Sequence, residues 1–334
     1  MKAVALISGG LDSTLAAKIA QDLGLELLAF NMKSPFCLCD LRAGNGCIHG
    51  ALSAAKRLGL KLVSVDVSNE ILEIIRRPRF GYGSNMNPCI DCRILLFKKA
   101  KEYMRKEAAS FIITGEVLGQ RPMSQRIFTM RLIEREAGVE GFVVRPLCAK
   151  MLEPTIPEKS GWIDRERLLG ISGRSRKPQI HLAKELGIND YPCPSGGCLL
   201  TDPGFSKRLK DLMHYTPDFS LNDINLLKLG RHFRISHNAK LIVGRNEGEN
   251  EKIMNLAHEG DYIFLPQDVI GPTCMGRGDF NQDMLKLSCQ IAARYCDLNG
   301  NITARIIYKR FPGEEEDVRE VFVLGEKELY SYRI

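Results

Sequence analysis

The stretch Ala3-Val4-Ala5-Leu6-Ile7-Ser8-Gly9-Gly10-Leu11-Asp12-Ser13-Thr14-Leu15-Ala16-Ala17 decides how this chain folds. A short apolar run reads as a buried strand, the glycine pair as a tight turn, and the small and apolar residues from about Ser13 as a helix. At such a strand–turn–helix junction, residues without bulk let backbone amides approach an anion at the positive end of the helix. Phosphate binding is the natural use of Ser8–Ser13, although the Gly-Lys-Ser/Thr ending of a Walker loop is missing.

Outward from that loop, short apolar runs alternate with helical patterns. Strands are expected at Leu25–Asn31, Lys61–Val67 and Phe111–Thr114, with helices from about Gly50 and through Arg93–Glu107. The alternation predicts an α/β fold, a doubly wound and mainly parallel sheet whose ligand loops lie at the carboxyl ends of the strands. Prolines between Pro146 and Ser160 are followed by a helical segment, Pro178–Leu186, so this domain is expected to span residues 1–202. Residues 203–334 read as a second, smaller α+β domain: an amphipathic helical stretch, then Lys240–Arg245, Tyr262–Leu265, a long helix near Asn281–Cys296, and strands at Ile302–Lys309 and Glu320–Leu324. The acidic run Glu314–Asp317 is expected to be a solvated hairpin turn.

The 334 residues are 44% hydrophobic and 26% charged, enough for two cores, and the net charge of +7 is compatible with a polyanionic partner without requiring one. The apolar run at the N-terminus is too short for a signal peptide or a membrane span, so a cytoplasmic protein is expected. Eleven cysteines in a reducing compartment suggest metal ligation or sulfur chemistry rather than disulfides. Cys148, Cys289 and Cys296 are expected to be packed thiols without a function.

Cys89 and Cys92 have the spacing at which one turn directs two thiolates to one metal or cluster, and the spacing alone does not separate zinc, iron–sulfur and redox use. Cys198 follows a glycine pair, with Cys193 near enough to replace a ligand or simply to pack. Cys37, Cys39, Cys47 and His49 lie between the second strand and the next helix. They have ligand types suited to tetrahedral zinc, or they are reduced thiols, some of which line the site at the sheet's ligand-binding edge.

Ser8-Gly9-Gly10-Leu11-Asp12-Ser13 resembles the SGGxDS signature of the PP-loop ATP pyrophosphatases, whose fold is adenine nucleotide alpha hydrolase-like. The resemblance implies that Ser8, Gly9, Gly10, Asp12 and Ser13 surround the leaving pyrophosphate of ATP, with Asp12 positioning Mg²⁺. Adenine is then expected near Ala29–Met32, with Phe30 as the contact, and near Gly115. Asn87-Pro88-Cys89-Ile90-Asp91-Cys92 resembles a segment of the tRNA 2-thiouridylases in which the cysteine matching Cys92 is functional; Cys89 replaces an aspartate common there. Gly173 to Gly187 is similar to the approach to their second essential cysteine, here Cys198. Thr114-Gly115-Glu116-Val117-Leu118-Gly119-Gln120, with Ser124-Gln125, is similar to a stretch of the tRNA 4-thiouridine synthetases. Gln120, Ser124 and Gln125 are therefore expected at the ribose or reacting base, and Arg121 and Arg126 at phosphate, unless the loop is an ordinary polar surface. Arg174 and Arg176, before a helix start, are further phosphate candidates. Leu241-Ile242-Val243-Gly244-Arg245-Asn246-Glu247-Gly248-Glu249-Asn250 resembles part of the NFACT-R domain. This makes RNA binding the expectation for the second domain, with Arg231, Arg234, Arg245 and Arg277 as candidate phosphate contacts.

Taken together, the resemblances imply an ATP-dependent tRNA sulfurtransferase that adenylates a uridine oxygen and then replaces it with sulfur. Three thiolates, Cys89, Cys92 and Cys198, would leave one iron of a [4Fe–4S] cluster open to hydrosulfide. The alternatives are a persulfide on Cys198 or Cys92 resolved by the other thiol, or structural zinc. The expected partners are tRNA and a sulfur donor, either sulfide or a persulfide delivered by a cysteine desulfurase. Two other readings stand beside this one: a PP-loop enzyme acting on a small molecule, and a non-catalytic RNA-binding factor that senses ATP.

Overall fold

The computed structural model describes residues 1–37, 47–189, 191 and 197–334, with the backbone alone at 47–49. The chain divides into two compact units, Met1–Asp202 and Pro203–Ile334. The first unit runs β1 (Lys2–Leu6), α1 (Leu11–Asp22), β2 (Glu26–Lys33), α2 (Cys47–Arg57), β3 (Leu62–Asp66), α3 (Ser68–Arg76), α4 (Cys89–Lys106), β4 (Phe111–Ile113), α5 (Ile127–Ala137), β5 (Val143–Val144), α6 (Ile156–Lys159) and α7 (Lys177–Glu185). Its strands form one sheet in the order β3-β2-β1-β4-β5, every pair parallel.

The alternation of side chains along a strand explains why this sheet is covered twice. In and just after β1, Ala3, Ala5 and Ile7 turn to a core shared with Leu11 and Leu15 of α1 and Ala51, Ala54 and Ala55 of α2. Val4 and Leu6 turn to the opposite core, with Ile94 and Phe97 of α4 and Ile133 and Ala137 of α5. This is the doubly wound arrangement. Because β1 is central and its order relative to β2 and β4 reverses there, the loops after β1 and β4 open at the crevice where such sheets bind ligands.

The second unit runs α8 (Pro203–Tyr215), α9 (Leu221–Leu227), β6 (Arg231–Ser236), β7 (Ala239–Val243), α10 (Glu247–Asn255), β8 (Tyr262–Pro266), β9 (Cys274–Gly278), α11 (Gln282–Ala293), β10 (Thr303–Arg310), β11 (Glu316–Phe322) and α12 (Glu326–Tyr332). Its sheet is antiparallel throughout, in the order β11-β10-β8-β9-β7-β6. Leu241 and Val243 of β7 pack on the side of α11, whereas Ile242 packs with Leu226 and Ile253 on the other face. The expected hairpin turn at Glu314–Asp317 is shorter than the acidic run, since β11 already begins at Glu316 and pairs it with Lys309. Among the described residues, no helix is long and apolar enough to cross a membrane.

Candidate active site

The phosphate loop is held shut by its own hydroxyls. Ser13 Oγ donates to Gly10 O at 2.9 Å and accepts from Ser8 N at 3.2 Å, while Thr14 Oγ1 donates to Gly10 O at 3.1 Å. Gly9 sits at φ +80°, where a side chain is strained, and a Cβ there would stand 2.4 Å from the Gly50 carbonyl carbon. The second glycine requirement lies far along the chain: a Cβ on Gly115 would stand 2.4 Å from the carbonyl of Asp12 and 2.5 Å from Ser13 N. The loop after β4 thus presses its backbone against the start of α1, and Gly115 is brought to the phosphate loop.

Asp12 is the polar centre of this junction. One of its oxygens, Oδ2, accepts from Gln120 Nε2 at 3.0 Å and lies 3.6 Å from Arg176. The other, Oδ1, is buried and has no hydrogen-bond partner among the described residues. A buried carboxylate oxygen left open beside a phosphate loop suits a hard cation such as Mg²⁺, which prefers carboxylate and phosphate oxygens. Arg176 reaches this point because the strand-like contact of Leu118 with Ser172, and the bond from Gly173 N to Leu118 O at 2.8 Å, anchor the entrance to α7 beside the loop after β4.

That loop is itself stapled. Gln125 is buried, its side-chain oxygen accepts from Arg121 N at 3.0 Å, and its carbonyl accepts from Gly119 N at 2.7 Å. Ser124 is buried as well. These two expected substrate contacts therefore shape the loop, while Gln120 and the exposed Arg121 and Arg126 project from it. Beneath it, Arg145 is buried between Glu116 and Glu134, donating to Glu116 Oε2 at 3.1 Å, and Arg93 lies 3.6 Å from Glu116 Oε1. No motif signalled Arg145 or Gln179, the latter wholly buried on α7 with neither amide atom partnered among the described residues.

The thiols come next to this junction from separate loops. Helix α4 begins at Cys89, so Cys89 and Cys92 occupy its first turn rather than a turn ahead of it. Between them, Asp91 is buried and accepts from Arg79 N at 3.2 Å and Phe80 N at 3.1 Å, which fixes the entry. The preceding segment is tied to the neighbourhood of Cys198 by Met86 N to Leu200 O at 3.0 Å and Asn85 Nδ2 to Thr201 O at 2.7 Å. On the other side, Cys198 forms an isolated antiparallel bridge with Cys37, reinforced by Leu199 N to Phe36 O at 2.9 Å.

Electrostatics report the same grouping. Burial pushes the Cys198 thiol up to about 12, and Cys92, Cys89 and Cys37 add to the rise. The Cys92 thiol is pushed up to about 11, again by burial first, with Arg93 and Arg121 opposing. Desolvation, and after it Arg93, hold the Arg121 guanidinium below its usual pKa, against the opposing pull of Cys89, Glu116 and Asp12. The structure thus brings together Cys89, Cys92 and Cys198, and adds Cys37, which the expected zinc group had placed with Cys39, Cys47 and His49. Cys39 and Cys193 lie outside the described residues, as do the side chains of Cys47 and His49. Among the described residues, no group of three or more His, Cys, Asp or Glu side chains converges as a single metal ion would need.

Two expected contacts have surroundings of their own. The Phe30 ring is buried and stacks on Tyr103 of α4 at 5.4 Å, so its side chain packs the core under the sheet. Its neighbour Asn31 is buried and donates to Ile7 O at 2.8 Å, just before the phosphate loop. In the second unit the candidate arginines have partners of their own: Arg234 with Asp211, Arg277 with Asp223 and Asp261, Arg245 with Glu249, and Arg231 over the Tyr295 ring at 4.6 Å. Cys148 and Cys289 are buried and Cys296 half-buried, in keeping with packed thiols.

Residues 1–154 match the family described as thiamine biosynthesis protein (ThiI), and residues 230–333 match the NFACT protein RNA binding domain. The chain thus carries one region similar to the ThiI family and a second similar to the NFACT RNA binding domain. A probable tRNA sulfurtransferase of Methanosarcina mazei is 31% identical over 123 residues, 36% of this chain and 29% of that protein. A probable tRNA sulfurtransferase of Moorella thermoacetica is 35% identical over 147 residues, 43% of this chain and 35% of that protein. The chain therefore spans about a third of the length of these curated relatives. A 4-thiouridine synthetase solved in complex with RNA and bound ATP is 22% identical, with 68% of this chain and 52% of that one covered and a TM-score of 0.36.

Proposed function

We propose that the protein is an ATP-dependent tRNA sulfurtransferase. The observation that carries the reading is a phosphate loop whose Asp12 is held by Gln120, together with Cys37 and Cys198 opposed in a bridge and tied to the segment that leads into Cys89 and Cys92. A phosphate loop beside thiols suits a reaction in which ATP first activates an oxygen and sulfur then displaces it.

In the first half-reaction, the carbonyl oxygen of a uridine attacks the α-phosphorus of ATP, and the bond to the bridging oxygen of pyrophosphate breaks. Amides of Gly9 and Gly10 and the start of α1 receive the pyrophosphate charge. Asp12 Oδ1 would hold Mg²⁺, while Gln120 and Arg176 fix the orientation of that carboxylate. Arg121 and Arg93 carry positive charge toward the side of the thiols. The base leaves this step as an adenylate, its C–O bond weakened.

In the second half-reaction a sulfur nucleophile attacks the activated carbon and AMP departs with the original oxygen. Cys89, Cys92 and Cys198 are thiols suited to an iron–sulfur cluster, whose irons are spread rather than gathered at one point. A [4Fe–4S] cluster on three thiolates would supply hydrosulfide from the iron that lacks a protein ligand. A second sulfur route is favoured by the Cys37–Cys198 bridge, because residues directly opposed across an antiparallel pair have Cα atoms about 4.5–5.5 Å apart, within disulfide range. On that route, a persulfide on Cys198 attacks the base carbon through its terminal sulfur. The Cys37 thiolate then takes the inner sulfur, leaving thiouridine and a Cys37–Cys198 disulfide that a thiol reductant must reopen.

The test is to incubate anaerobically reconstituted protein with unmodified tRNA, Mg·ATP and sulfide, and to analyse the nuclease digest. A thiouridine, with one AMP and one pyrophosphate formed per sulfur, is the expected product. Pyrophosphate release that needs no tRNA and leaves no thionucleoside would move the reaction to a small molecule.

A further inference from the structure

In the second unit, a cavity of about 250 Å³ opens on the sheet face opposite α11. Its mouth is formed by exposed Thr216, His237 and Asn238, and its floor by buried Leu227, His232 and Ile242. The volume lies below the roughly 300–1,000 Å³ of drug-sized sites, so it suits a single ring system.

The wall of this cavity is unusual in its charge. Arg234, Lys240 and Arg277 stand in one cross-strand row, Arg234 opposite Lys240 on β6 and β7, and Lys240 opposite Arg277 on β7 and β9. All three line the cavity. Like charges directly opposed across a sheet destabilise it, and a buried ion-paired group is at best weakly stabilising compared with an apolar one. The row is held in place by carboxylates: Asp211 accepts from Arg234 Nε at 3.1 Å and lies 3.6 Å from Lys240 Nζ, and Asp261 accepts from Arg277 Nη2 at 2.8 Å. Lys240 thus shares its carboxylate with Arg234 and keeps donors for a ligand.

The neighbouring cross-strand position supplies the opposite hydrogen-bonding type. His232 Nε2 lies 2.7 Å from Leu229 O. A carbonyl only accepts, so Nε2 carries the hydrogen and Nδ1 is left as an acceptor. That Nδ1 is buried and has no hydrogen-bond partner among the described residues. The cavity therefore offers a donor and an acceptor beside the apolar side chains of Leu212, Leu227 and Ile242, a match for a flat heterocycle whose edge carries both an N–H and a carbonyl or ring nitrogen.

A track for phosphates leads to the mouth. Lys207, Lys210 and His214 are exposed along one side of α8, at intervals of three and four residues, and the helix ends at Tyr215, which lines the cavity. We propose that this cavity is a binding pocket for one unstacked nucleobase of a single RNA strand, with the backbone phosphates running along α8. The proposal rests on the reading of this protein as one that acts on RNA, and it assigns base recognition to a place distinct from the phosphate loop.

The experiment uses the full chain and two short single-stranded oligoribonucleotides, one carrying a central 2-aminopurine in an otherwise abasic backbone and one wholly abasic. The base-bearing strand is expected to bind about tenfold more tightly, the range seen when one base stacks in a protein site, and its fluorescence to change on binding. Thr216→Phe, which fills the exposed mouth without touching the core, is expected to remove that advantage and leave the abasic strand's affinity unchanged. Thr216→Ser should retain it. Equal binding of both strands by the unaltered protein, or an advantage that survives Thr216→Phe, overturns the pocket. Displacement of the strand by AMP at matching concentration would assign the pocket to a free nucleotide and overturn RNA as its source. If neither strand binds and no thionucleoside forms, the RNA reading of the whole protein falls; thionucleoside formation with equal strand binding overturns the pocket alone.

Discussion

Asp12 concentrates the chemistry of the first unit in one side chain: one oxygen is held by Gln120 and Arg176, and the other is buried and open. Asp12→Asn keeps the shape and the Gln120 neighbour but loses the charge that a cation needs. Its tRNA-dependent pyrophosphate release is expected to fall about 100-fold or more, the scale on which a single electrostatic stabiliser of a transition state acts. A release assay within twofold of the unaltered protein would remove Asp12 from the reaction. Gly115 carries a steric version of the same dependence. Since a Cβ there would stand 2.4 Å from the Asp12 carbonyl, Gly115→Ala should weaken ATP binding, measured by calorimetry, and lower the melting temperature; unchanged affinity would mean that the loops move apart freely. The phosphate loop was legible because backbone approach demands small residues in a fixed order. At Phe30 the alternation of side chains along β2 sends the ring into the core, while the neighbouring Asn31 bonds Ile7 O just before the phosphate loop.

Among the elements, the long periodic ones could be read and the irregular ones could not. Strands β1 to β4 stand out as apolar runs, and α11 as an amphipathic helix capped by Asn281, whose Oδ1 accepts from Met284 N at 2.9 Å. The strand β9, Cys274–Gly278, escaped because its two glycines and an arginine hide any alternation. Strand β6 escaped because His232 and Arg234 are polar on a face that sequence rules expect to be apolar, and those residues turn toward a cavity. Lys240 on β7 gives this face a measurable signature. Burial lowers its pKa from 10.5 to about 8, with Asp211 opposing and Arg234 reinforcing the shift. A depressed folded-state pKa means that the unfolded chain binds more protons between the two values, so stability rises with pH across the window from 8 to 10.5. Relative to Lys240→Met, the unaltered protein should gain on the order of 3 kcal/mol across that window, followed by denaturant unfolding at several pH values. Parallel pH profiles for the two proteins would contradict a buried, proton-releasing Lys240.

At the scale of the whole molecule, each unit poses its own question. The first places a phosphate loop and thiols from three chain regions in one neighbourhood, a grouping that no local spacing announces. Cys89 and Cys92 were legible as a pair, and Cys198 through the segment leading to it, but Cys37 joins them only through its bridge to Cys198. Cys37→Ala therefore discriminates between the sulfur routes: it should abolish turnover supported by a persulfide donor, and leave sulfide-supported thiolation by the reconstituted protein within about twofold. Loss of both would place Cys37 among the residues that hold the sulfur itself, and loss of neither would exclude it as the resolving thiol.

The most direct measurement of the account as a whole separates its two halves on one RNA. Cys198→Ala, incubated with unmodified tRNA and ATP labelled at the α-phosphate, should accumulate label on the tRNA, because adenylation proceeds and sulfur cannot follow. The same label should be absent with Asp12→Asn, and should be released as AMP when sulfide is supplied to the unaltered protein. If Cys198→Ala forms pyrophosphate without labelling tRNA, or labels a small molecule instead, activation and sulfur transfer do not occur on one RNA base and the account is contradicted.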